Sequence, residues 1–276
     1  MKKIGIIGVG FVGGALKRYF ESKKNNPFVY DKYKHQGSME LVNKAEIVFI
    51  STPTPYNPKK GFDLSAVKEA VSLLNGKKIV VIKSTVLPGT VDDLQKQYPQ
   101  HAFMFNPEFL KEVSSYEDLI HPDRQILGVT KQSQKYAKIV MSVLPKSPFN
   151  KVMPAKEAEL VKYMANSFLA LKVVFANEIF EIAKALKVNY ETVKEAVVKD
   201  WRIADSHFSV GHGGYRGYGG SCFPKDVNAL LQLAKKLEKK TPLLTTMKKI
   251  NQQLLKASGL SEEFFLKNLH KKNVKK

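Results

Sequence analysis

Three glycines near the N-terminus constrain the fold of this chain more than any other feature of its sequence. Gly8, Gly10 and Gly13 directly follow an apolar run from Lys3 to Ile7. Apolar side chains then recur at helical spacing between Ala15 and Phe20. A strand that enters a glycine-rich turn and continues as a helix opens a strand–helix–strand unit, the building block of parallel sheets. The first segment of the sequence therefore predicts an α/β fold.

Further apolar runs continue this alternation through the first half of the chain. Four of them are predicted strands: Phe28 to Asp31, Ile47 to Ile50, Ile79 to Ile82 and Ala102 to Phe105. Strands that alternate with helical segments favour a doubly wound, parallel sheet of the Rossmann-like type. We assign residues 1–153 to this domain.

The second half of the chain has the pattern of an all-helical domain. A long central helix without glycine or proline is predicted from Ala155 to about Leu186. Shorter helices are predicted over Tyr190–Lys199 and Asp226–Leu237. We assign residues 154–258 to this helical domain and residues 259–276 to a basic C-terminal tail, which we expect to be frayed.

An apolar stripe follows the long predicted helix. Its members recur every three or four residues, which places them on one face of the helix. They are Leu160, Met164, Phe168, Leu171, Phe175, Ile179 and Ile182. Because a stripe of this length needs more surface than a small domain provides, we expect a homodimer that packs through this helix. Burial of the helix within its own domain is the alternative.

The glycine turn also has the features of a dinucleotide site. Glycines let the backbone approach a pyrophosphate, and the N-terminus of the following helix offers N–H groups and a positive dipole. Asp31, at the end of the second strand, is placed to bind the ribose hydroxyls of adenosine. A carboxylate there repels a 2′-phosphate, so NAD is favoured over NADP, although Lys32 weakens that preference. A glycine turn without a ligand is the alternative.

The single cysteine is the most informative residue for chemistry. Gly219 and Gly220 precede Cys222 and allow a ligand to approach the backbone, and Pro224 suits the first turn of a helix. A thiol just before a helix N-terminus, with Lys225 nearby, is expected to have a lowered pKa and to be nucleophilic. Cys222 is therefore the candidate nucleophile.

Two other interpretations of Cys222 stay open. The cysteine can be an inert buried side chain, or it can bind zinc with His207 and His212, although their spacing matches no common zinc pattern. We expect no metal. One cysteine also excludes an internal disulfide, which fits a reducing compartment and a cytoplasmic protein.

The composition excludes some classes of protein and leaves others open. No apolar run is long enough to cross a bilayer, and glycines interrupt the stretch that follows the N-terminal lysines, so we expect neither a membrane span nor a signal peptide. The formal net charge is +20. We interpret it as solvated lysine-rich faces, because no basic stripe interleaved with aromatics indicates a nucleic-acid site.

Six segments, in this order along the chain, resemble the first two domains of the UDP-glucose/GDP-mannose dehydrogenase family. The segments are Gly8–Gly13, Ser51-Thr52-Pro53-Thr54, Lys83-Ser84-Thr85, Asn106–Glu112, Lys162-x-x-x-Asn166-Ser167 and Gly219–Asp226. The resemblance implies an NAD-dependent oxidation of a sugar alcohol to a carboxylate by two hydride transfers, with UDP-glucose as the leading substrate and a role in polysaccharide biosynthesis. GDP-mannose and N-acetylated nucleotide sugars stay open.

The resemblance also implies catalytic roles for six residues. Cys222 forms a thiohemiacetal and then a thioester with the substrate, and water hydrolyses the thioester. Thr85 and Asp226 hold a water that accepts the hydroxyl proton, and Glu108 is the general base for hydrolysis, for which burial would have to raise its pKa. Lys162 and Asn166 lie four residues apart, on one helix face, where they can stabilise an oxyanion. Each of these residues, taken alone, also has an ordinary structural interpretation.

Binding residues are implied in the same way. The cofactor residues are Gly8, Gly10, Phe11, Val12, Gly13, Asp31, Lys32, Ser51, Thr52, Thr54, Ser84, Thr85 and Glu112. The substrate residues are Glu108, Phe109, Leu110, Lys111, Glu112, Lys162, Asn166, Arg202, Tyr218, Gly219 and Lys225. Arg202 resembles an arginine that family members insert into the neighbouring subunit's site, and a local salt bridge is its alternative.

The chain departs from the family pattern in its length. Typical members continue into a further nucleotide-binding domain, which we expect to be missing here. Binding through Arg202, Lys225 and the glycine loop alone, or a compact member acting on a different sugar, are the favoured explanations. A separate nucleotide-binding subunit is the third.

Three other functions compete with the dehydrogenase of nucleotide sugars. A 3-hydroxyacid or 6-phosphogluconate-type dehydrogenase needs no cysteine. A catalytically silent module that binds NAD or a nucleotide sugar would produce no NADH. A basic nucleic-acid-binding protein would show salt-dependent retention of DNA or RNA.

Overall fold

The computed structural model describes residues 2–272, without the side chains of His212 and of residues 268–272. The chain divides into two compact units. Unit 1 contains the residues up to Pro55 and Phe62–Lys162, and unit 2 contains Tyr56–Gly61 and Tyr163–Lys272. The division falls inside the long helix, whereas the sequence pattern placed the domain boundary between residues 153 and 154.

Unit 1 is built on an eight-stranded sheet. Residues 2–272 contain ten strands, which are β1 Ile4–Ile7, β2 Phe28–Asp31, β3 Gln36–Gly37, β4 Ile47–Ile50, β5 Tyr56–Asn57, β6 Gly61–Phe62, β7 Ile79–Ile82, β8 Ala102–Phe105, β9 Arg124–Val129 and β10 Phe149–Pro154. The large sheet has the order β10-β9-β8-β7-β4-β1-β2-β3, and β5 and β6 form a separate two-stranded sheet. Because the strand order reverses about β1, the sheet is doubly wound.

Short apolar runs produce the central strands. Every residue of β1, β4 and β8 is buried, as expected for strands that are covered on both faces. The register of β1 is parallel on both sides, with Ile6 opposite Val29 and Phe49. The predicted Rossmann-like fold is confirmed, with two antiparallel pairs in addition, β2 with β3 and β8 with β9.

Helices flank the sheet in unit 1. They are α1 Phe11–Ser22, α2 Met39–Val42, α3 Ser65–Ser72, α4 Thr90–Gln97, α5 Ser115–Ile120 and α6 Ala137–Val143. A side chain caps α2, since Ser38 Oγ accepts from the Leu41 N–H at 3.3 Å. Asp63 Oδ1 accepts from the N–H of Ser65, the first residue of α3, at 2.8 Å.

The remaining helices carry the second half of the chain. They are α7 Ala155–Ala185, α8 Tyr190–Val197, α9 Phe223–Lys236, α10 Pro242–Ala257 and α11 Glu262–Lys272. The long helix α7 confirms the sequence pattern. Helix α9 begins three residues earlier than predicted, because Pro224 in its first turn needs no N–H partner. Within the described residues, no helix combines the length and the apolar character needed to cross a bilayer.

Helix α11 lies in the segment that the sequence pattern assigned to a basic tail. Glu262 connects it to the two preceding helices, since its Oε1 accepts from Asn228 Nδ2 at 2.9 Å and its Oε2 lies 3.7 Å from Lys248 Nζ. Leu266 of the same helix is buried. Residues 262–272 are therefore a packed helix, and the predicted fraying of residues 273–276 lies outside the described residues.

The apolar stripe on α7 is largely uncovered. Five of its members are exposed, namely Leu160, Met164, Phe168, Phe175 and Ile182. Facing the other way on the same helix, Ala170 and Val174 belong to a core of unit 2 with Val227 and Met247. The part of α7 that belongs to unit 2 therefore buries one face in the core of that unit. The face that carries the five apolar side chains is exposed to solvent.

A buried acid caps helix α4. Glu159, on α7, is fully buried and accepts from the backbone N–H groups of Gly89 and Val91, at 2.5 and 2.9 Å. Burial raises the pKa of Glu159 to about 7, although the two N–H groups oppose that shift. The folded chain therefore holds this proton at pH values where the unfolded chain has lost it.

We expect Glu159→Gln to remove one pH-dependent term from the free energy of unfolding. Because the folded pKa exceeds the unfolded value, the wild type loses stability as pH rises between about 4.3 and about 7. The variant lacks this titrating group, so its free energy of unfolding should not fall for this reason. Relative to the wild type, the free energy of unfolding of the variant should rise by about 2 to 3 kcal/mol over that window. Urea unfolding of both proteins at pH 4.5 and pH 8 measures the difference, and a gap that does not change with pH would contradict the assignment.

Candidate active site

The glycine turn of unit 1 is shaped by close backbone contacts. A Cβ on Gly13 would lie 1.8 Å from the carbonyl oxygen of Gly8, and Gly8 itself has a φ of +86°, so neither position tolerates a side chain. Gly10 differs, because a Cβ there would meet no atom within 4 Å. Gly10 is also the N-cap residue of α1, whose first turn contains Phe11 and Val12. The first N–H groups of α1 therefore start beside open space, as a pyrophosphate site requires.

Asp31 joins the end of β2 to the glycine turn. Its Oδ2 accepts from the Val9 N–H at 2.7 Å, and its Oδ1 accepts from the N–H groups of Tyr33 and Lys34, both at 3.0 Å. A carboxylate offers about four acceptor positions, so three backbone donors leave room for a ribose hydroxyl. Lys34, which sequence reasoning did not single out, also donates from Nζ to the carbonyl of Val9 at 2.8 Å.

Hydroxyl side chains line the ends of β4 and β7. Ser84 Oγ donates to the carbonyl of Thr52 at 2.7 Å, and Thr54 Oγ1 donates to the carbonyl of Thr85 at 2.8 Å. Ser51 Oγ is buried and, among the described residues, has no hydrogen-bond partner. Buried polar atoms are normally satisfied, so this hydroxyl together with the open space at Gly10 fits a bound dinucleotide.

Glu108 and Lys162 form a buried ion pair in unit 1. Lys162 Nζ lies 2.8 Å from Glu108 Oε1 and donates to the Glu108 carbonyl at 2.7 Å. Glu108 Oε2 accepts from the Leu110 N–H at 2.8 Å. Burial alone would raise the pKa of Glu108, but Lys162, the Leu110 N–H and Lys83 together hold it below its usual value. The raised pKa expected from the general-base role is therefore wrong for this arrangement, because the ammonium stabilises the carboxylate.

Lys83 is a buried cation that the sequence motif contained but to which no role was assigned. Its Nζ donates to Asn106 Oδ1 at 2.6 Å and to the Asn106 carbonyl at 3.3 Å. Burial lowers the pKa of Lys83 to about 8. Asn106 Nδ2 in turn donates to the carbonyl of Ile126 at 2.7 Å. A lysine that directly follows a buried apolar strand was the available signal, since the carboxyl ends of such strands gather functional groups.

The segment after Glu108 is fixed by its neighbours in unit 1. The Phe109 ring lies 3.8 Å from the guanidinium carbon of Arg124 and 5.7 Å from Lys162 Nζ. The Lys111 N–H donates to Asp118 Oδ2 at 2.7 Å. Glu112, Val113 and Ser114 form a short 3₁₀ helix. The segment thus holds Glu108 in place at one end and exposes Glu112 at the other.

Asp226 is the centre of a buried polar group in unit 2. Its Oδ2 accepts from Asn166 Nδ2 at 2.5 Å, and its Oδ1 forms an ion pair with the ammonium of Lys225. All three side chains are buried. A buried carboxyl group with a cation and an amide donor has its acceptor atoms satisfied, and removing one of these partners is costly. Of the predicted catalytic residues, this group brings together Asn166 and Asp226, and Lys225 from the substrate set.

Cys222 occupies the N-cap position of α9. Its carbonyl accepts from the Asp226 N–H at 2.9 Å, which closes the first turn of the helix. Its Sγ lies 3.6 Å from Ser221 Oγ, and the residue is partly buried. The cysteine therefore stands at a positive helix end, as the sequence predicted. No group of three or more histidine, cysteine, aspartate or glutamate side chains that could hold a metal occurs in the part of the chain that the structure describes.

The loop before Cys222 is closely packed. Asn251 holds Tyr218 from both sides, since Oδ1 accepts from the Tyr218 N–H at 2.6 Å and Nδ2 donates to its carbonyl at 3.0 Å. Burial, with a contribution from Glu262, raises the pKa of the Tyr218 hydroxyl. A Cβ on Gly219 would lie 2.5 Å from the Phe265 ring, so α11 packs directly on this loop. Arg216, missed by sequence reasoning, donates from Nε to Asn177 Oδ1 at 2.6 Å.

Arg202 pairs locally with Asp200. Its Nε donates to both carboxylate oxygens of Asp200, at 2.9 and 3.1 Å, and a second ion-pair contact comes from its NH2 group. The neighbouring Trp201 is 87% exposed. The local salt bridge that the sequence left as an alternative is therefore present, while the Arg202 side chain is largely exposed.

Fold and site together define a Rossmann-like dinucleotide-binding protein with a helical second unit and a cysteine at a helix N-terminus. Residues 30–144 match the model of the NAD binding domain of the UDP-glucose/GDP-mannose dehydrogenase family, and residues 156–253 match the model of its central domain. The chain belongs to the UDP-glucose/GDP-mannose dehydrogenase family. The predicted family, fold class and NAD-binding domain are thereby confirmed.

Relatives and solved structures agree with this assignment. The UDP-glucose 6-dehydrogenase of Rickettsia felis is 34% identical over 232 residues, which cover 80% of this chain and 51% of the relative. The chain thus spans about half the length of the curated relatives that it matches first. A UDP-glucose dehydrogenase structure from Pyrobaculum islandicum superposes with a TM-score of 0.80 at 29% identity, covering 93% of this chain and 71% of that one.

The fold is also shared outside the family. The 3-hydroxyisobutyrate dehydrogenase of Mycobacterium tuberculosis superposes with a TM-score of 0.71 at 12% identity, covering 98% of this chain and 99% of that one. Likeness at this level of identity shows the fold alone. The chemistry must therefore be argued from the side chains.

Proposed function

We propose that this chain is an NAD-dependent nucleotide-sugar 6-dehydrogenase that oxidises UDP-glucose to UDP-glucuronate. The observation that carries the proposal is Cys222 at the N-cap of α9, four residues before the buried Asp226. A 3-hydroxyacid dehydrogenase of the same fold has no use for a nucleophilic sulfur, whereas oxidation of an aldehyde to a carboxylate can proceed through a thioester on such a sulfur.

The first oxidation removes a proton from the sugar C6 hydroxyl and a hydride from the C6 carbon, which gives the aldehyde. NAD, when bound, supplies the hydride acceptor. The resemblance assigns the buried Asp226 carboxyl group and the Thr85 hydroxyl to the water that takes the proton. Lys162 and Asn166, four residues apart on α7, supply an ammonium and an amide donor for the oxygen on which charge develops.

The second oxidation passes through the sulfur. The Cys222 thiolate adds to the aldehyde carbon, and the new C–S bond gives a thiohemiacetal. Loss of a hydride from that carbon converts the adduct to a thioester. Water, deprotonated by Glu108, adds to the thioester, the C–S bond breaks, and the carboxylate leaves with the thiolate restored. The lowered pKa of Glu108 means that this carboxylate is ionised at neutral pH and ready to accept the proton.

The nucleotide half of the substrate needs cationic or loop contacts. Arg202 is exposed, and its fork geometry suits a diphosphate. Arg202 and Lys225 each have a carboxylate partner, but the Lys225–Asp226 pair is buried inside unit 2, whereas the Arg202 side chain is exposed beside Asp200. We therefore assign diphosphate binding to Arg202 and sugar positioning to the Tyr218–Gly219 loop, with a separate nucleotide-binding subunit as the alternative.

The proposal is tested by the stoichiometry of NADH formed with UDP-glucose. Two NADH per sugar, with UDP-glucuronate as the product, is the expected result. One NADH per substrate with a 3-hydroxyacid, and none with any nucleotide sugar, would support the competing dehydrogenase. NADH binding without turnover would indicate a silent module. GDP-mannose and UDP-N-acetylated sugars, assayed in parallel, identify the sugar and the base.

We further propose that the exposed stripe on α7 forms a homodimer. Phe168 and Phe175 are 60% and 51% exposed, seven residues apart and therefore on one face of the helix. Exposed apolar patches of this extent mark interaction sites, and a two-fold axis lets one patch cover its own copy. The exposed Trp201–Arg202 segment is the candidate for an insertion into the second copy.

Phe175→Glu should convert the dimer to a monomer. The substitution places a charge where the partner's apolar side chains would bury it, which costs several kcal/mol per subunit pair. Light scattering after size exclusion gives the mass. The matched control is Lys184→Glu. Lys184 is also exposed on α7 but lies on the opposite face of the helix from Phe175, so this variant should stay dimeric. A monomeric wild type at about 50 μM, well above common dimer affinities, would contradict the proposal.

A further inference from the structure

A cavity in unit 1 is lined by residues from β1, β2, the loop after β4 and helix α3. Asp31, Lys32 and Glu69 line this cavity together with Gly8. The cavity thus adjoins the glycine turn on the side of the Asp31 carboxylate. In a fold of this kind, the adenosine ribose binds beside that carboxylate.

The charges at the end of β2, considered alone, leave the preference for NAD weak. Asp31 contributes one negative charge, but Lys32 and Lys34 follow it within three residues. The three side chains together carry a net positive charge. A basic residue at this position is what accommodates the 2′-phosphate of NADP in folds of this kind.

Glu69, on α3, offsets the net positive charge at the end of β2. Its Oε1 lies 2.7 Å from Lys32 Nζ, across the cavity from β2 and 37 residues away in sequence. The hydrogen bond and the charge of Glu69 both raise the pKa of Lys32. With Glu69 in place, the four charged side chains sum to zero, and the ammonium of Lys32 already has an anionic partner.

We propose that Glu69 is a specificity-determining residue that makes the chain select NAD against NADP by neutralising Lys32. A 2′-phosphate, which carries about −1.5 to −2 charges at neutral pH, would have to displace the Glu69 carboxylate or lie beside it. NAD has a hydroxyl at that position and meets no such repulsion. The inference rests on NAD binding by the proposed enzyme and does not depend on which sugar it oxidises.

The test compares the dissociation constants of NADH and NADPH, measured by fluorescence titration without any sugar substrate. Glu69→Gln keeps the shape of the side chain and removes its charge. We expect it to tighten NADPH binding about tenfold at low ionic strength, because a charge a few ångströms from a phosphate in partly exposed surroundings has an effect of that order. NADH binding should change by less than about threefold, since its ribose carries no charge.

Two further variants separate this role from a purely structural one. Lys32→Gln combined with Glu69→Gln should lose the gain in NADPH affinity, because the freed ammonium is the group that binds the phosphate. Glu46→Gln is the matched control: Glu46 pairs with Lys2 at 2.6 Å with similar exposure, in the same unit but away from this cavity. It should leave both dissociation constants unchanged. The tenfold gain should also disappear at about 1 M salt, where the screening length is about 3 Å.

The possible outcomes distinguish this inference from the proposed function. If the wild type binds NADH and Glu69→Gln leaves the ratio of NADH to NADPH affinity unchanged, the specificity role is wrong and the dehydrogenase proposal stands. If the double variant keeps the NADPH gain, Lys32 is not the phosphate ligand and the inference fails. If the wild type binds neither cofactor, both proposals fall together.

Discussion

Cys222→Ser is expected to lower the rate of UDP-glucuronate formation by more than about a thousandfold. An alkoxide is far harder to generate at neutral pH than a thiolate, and the helix end at Cys222 favours the thiolate. The variant can still catalyse removal of the first hydride, since that step uses no sulfur. The measurement is the yield of acid by chromatography alongside the number of NADH formed per sugar.

The control for this prediction is the adjacent residue. Ser221→Ala removes a hydroxyl 3.6 Å from the sulfur while keeping the thiol, and we expect the rate to change by less than about tenfold, the effect of one lost neutral hydrogen bond. Circular dichroism and NADH titration confirm that both variants fold and bind cofactor. Full acid production by Cys222→Ser would end the covalent mechanism, and the competing one-step dehydrogenase would then be preferred.

Lys162→Met is expected to destabilise the fold by about 3 to 5 kcal/mol at pH 8 and to abolish acid formation. The Glu108 carboxylate loses its cation at 2.8 Å and remains buried. In the wild type, the paired Glu108 carboxylate stabilises the fold at pH values above the pKa of Glu108 in the unfolded chain. This stability is lost as pH falls through the lower pKa of Glu108 in the folded chain. In the variant, burial raises that pKa, so the sign reverses and stability falls as pH rises above about 4.3.

A second substitution isolates the ion pair. Glu108→Gln in the Lys162→Met background removes the buried charge, and we expect it to restore most of the lost stability without restoring activity. Urea unfolding at pH 5 and pH 8 gives the free energies of unfolding for the four proteins of a double-mutant cycle. They are the wild type, Lys162→Met, Glu108→Gln and the variant with both substitutions. A cost of Lys162→Met that is the same at both pH values, or that the second substitution fails to relieve, would show that Glu108 is not the source of the destabilisation.

The central strands were predictable because their sequence signal is local. β4, β7 and β8 have the predicted bounds, since each is a four-residue apolar run between polar segments. β9 and β10 were missed. β10 is mostly exposed and begins Phe-Asn-Lys, so it shows no apolar run, and its place in the sheet comes from pairing with β9 along six residues. Pairing within the folded sheet, and not a local sequence pattern, determines where β9 and β10 form.

Sequence motifs indicated individual residues of the candidate site, but not the contacts between them. The structure pairs Glu108 with Lys162 and Asn166 with Asp226. The family pattern had instead grouped Lys162 with Asn166 and Thr85 with Asp226. Partnerships between distant segments carry no local signal. Nothing near Lys32 indicates that Glu69 will neutralise it, and burial of Glu108 alone gives the wrong direction for its pKa, because the distance to an ammonium decides the sign.

The course of α7 limits how this protein can be rearranged by recombination. The helix runs without interruption from Ala155 to Ala185, while the division between the units falls immediately after Lys162. A fragment that stops there would leave the carbonyls of its last turn without donors and would place Lys162 on a fraying end. Exchanging one half of the gene with that of a relative therefore requires a crossover outside the helix, so that Ala155–Ala185 comes intact from one parent.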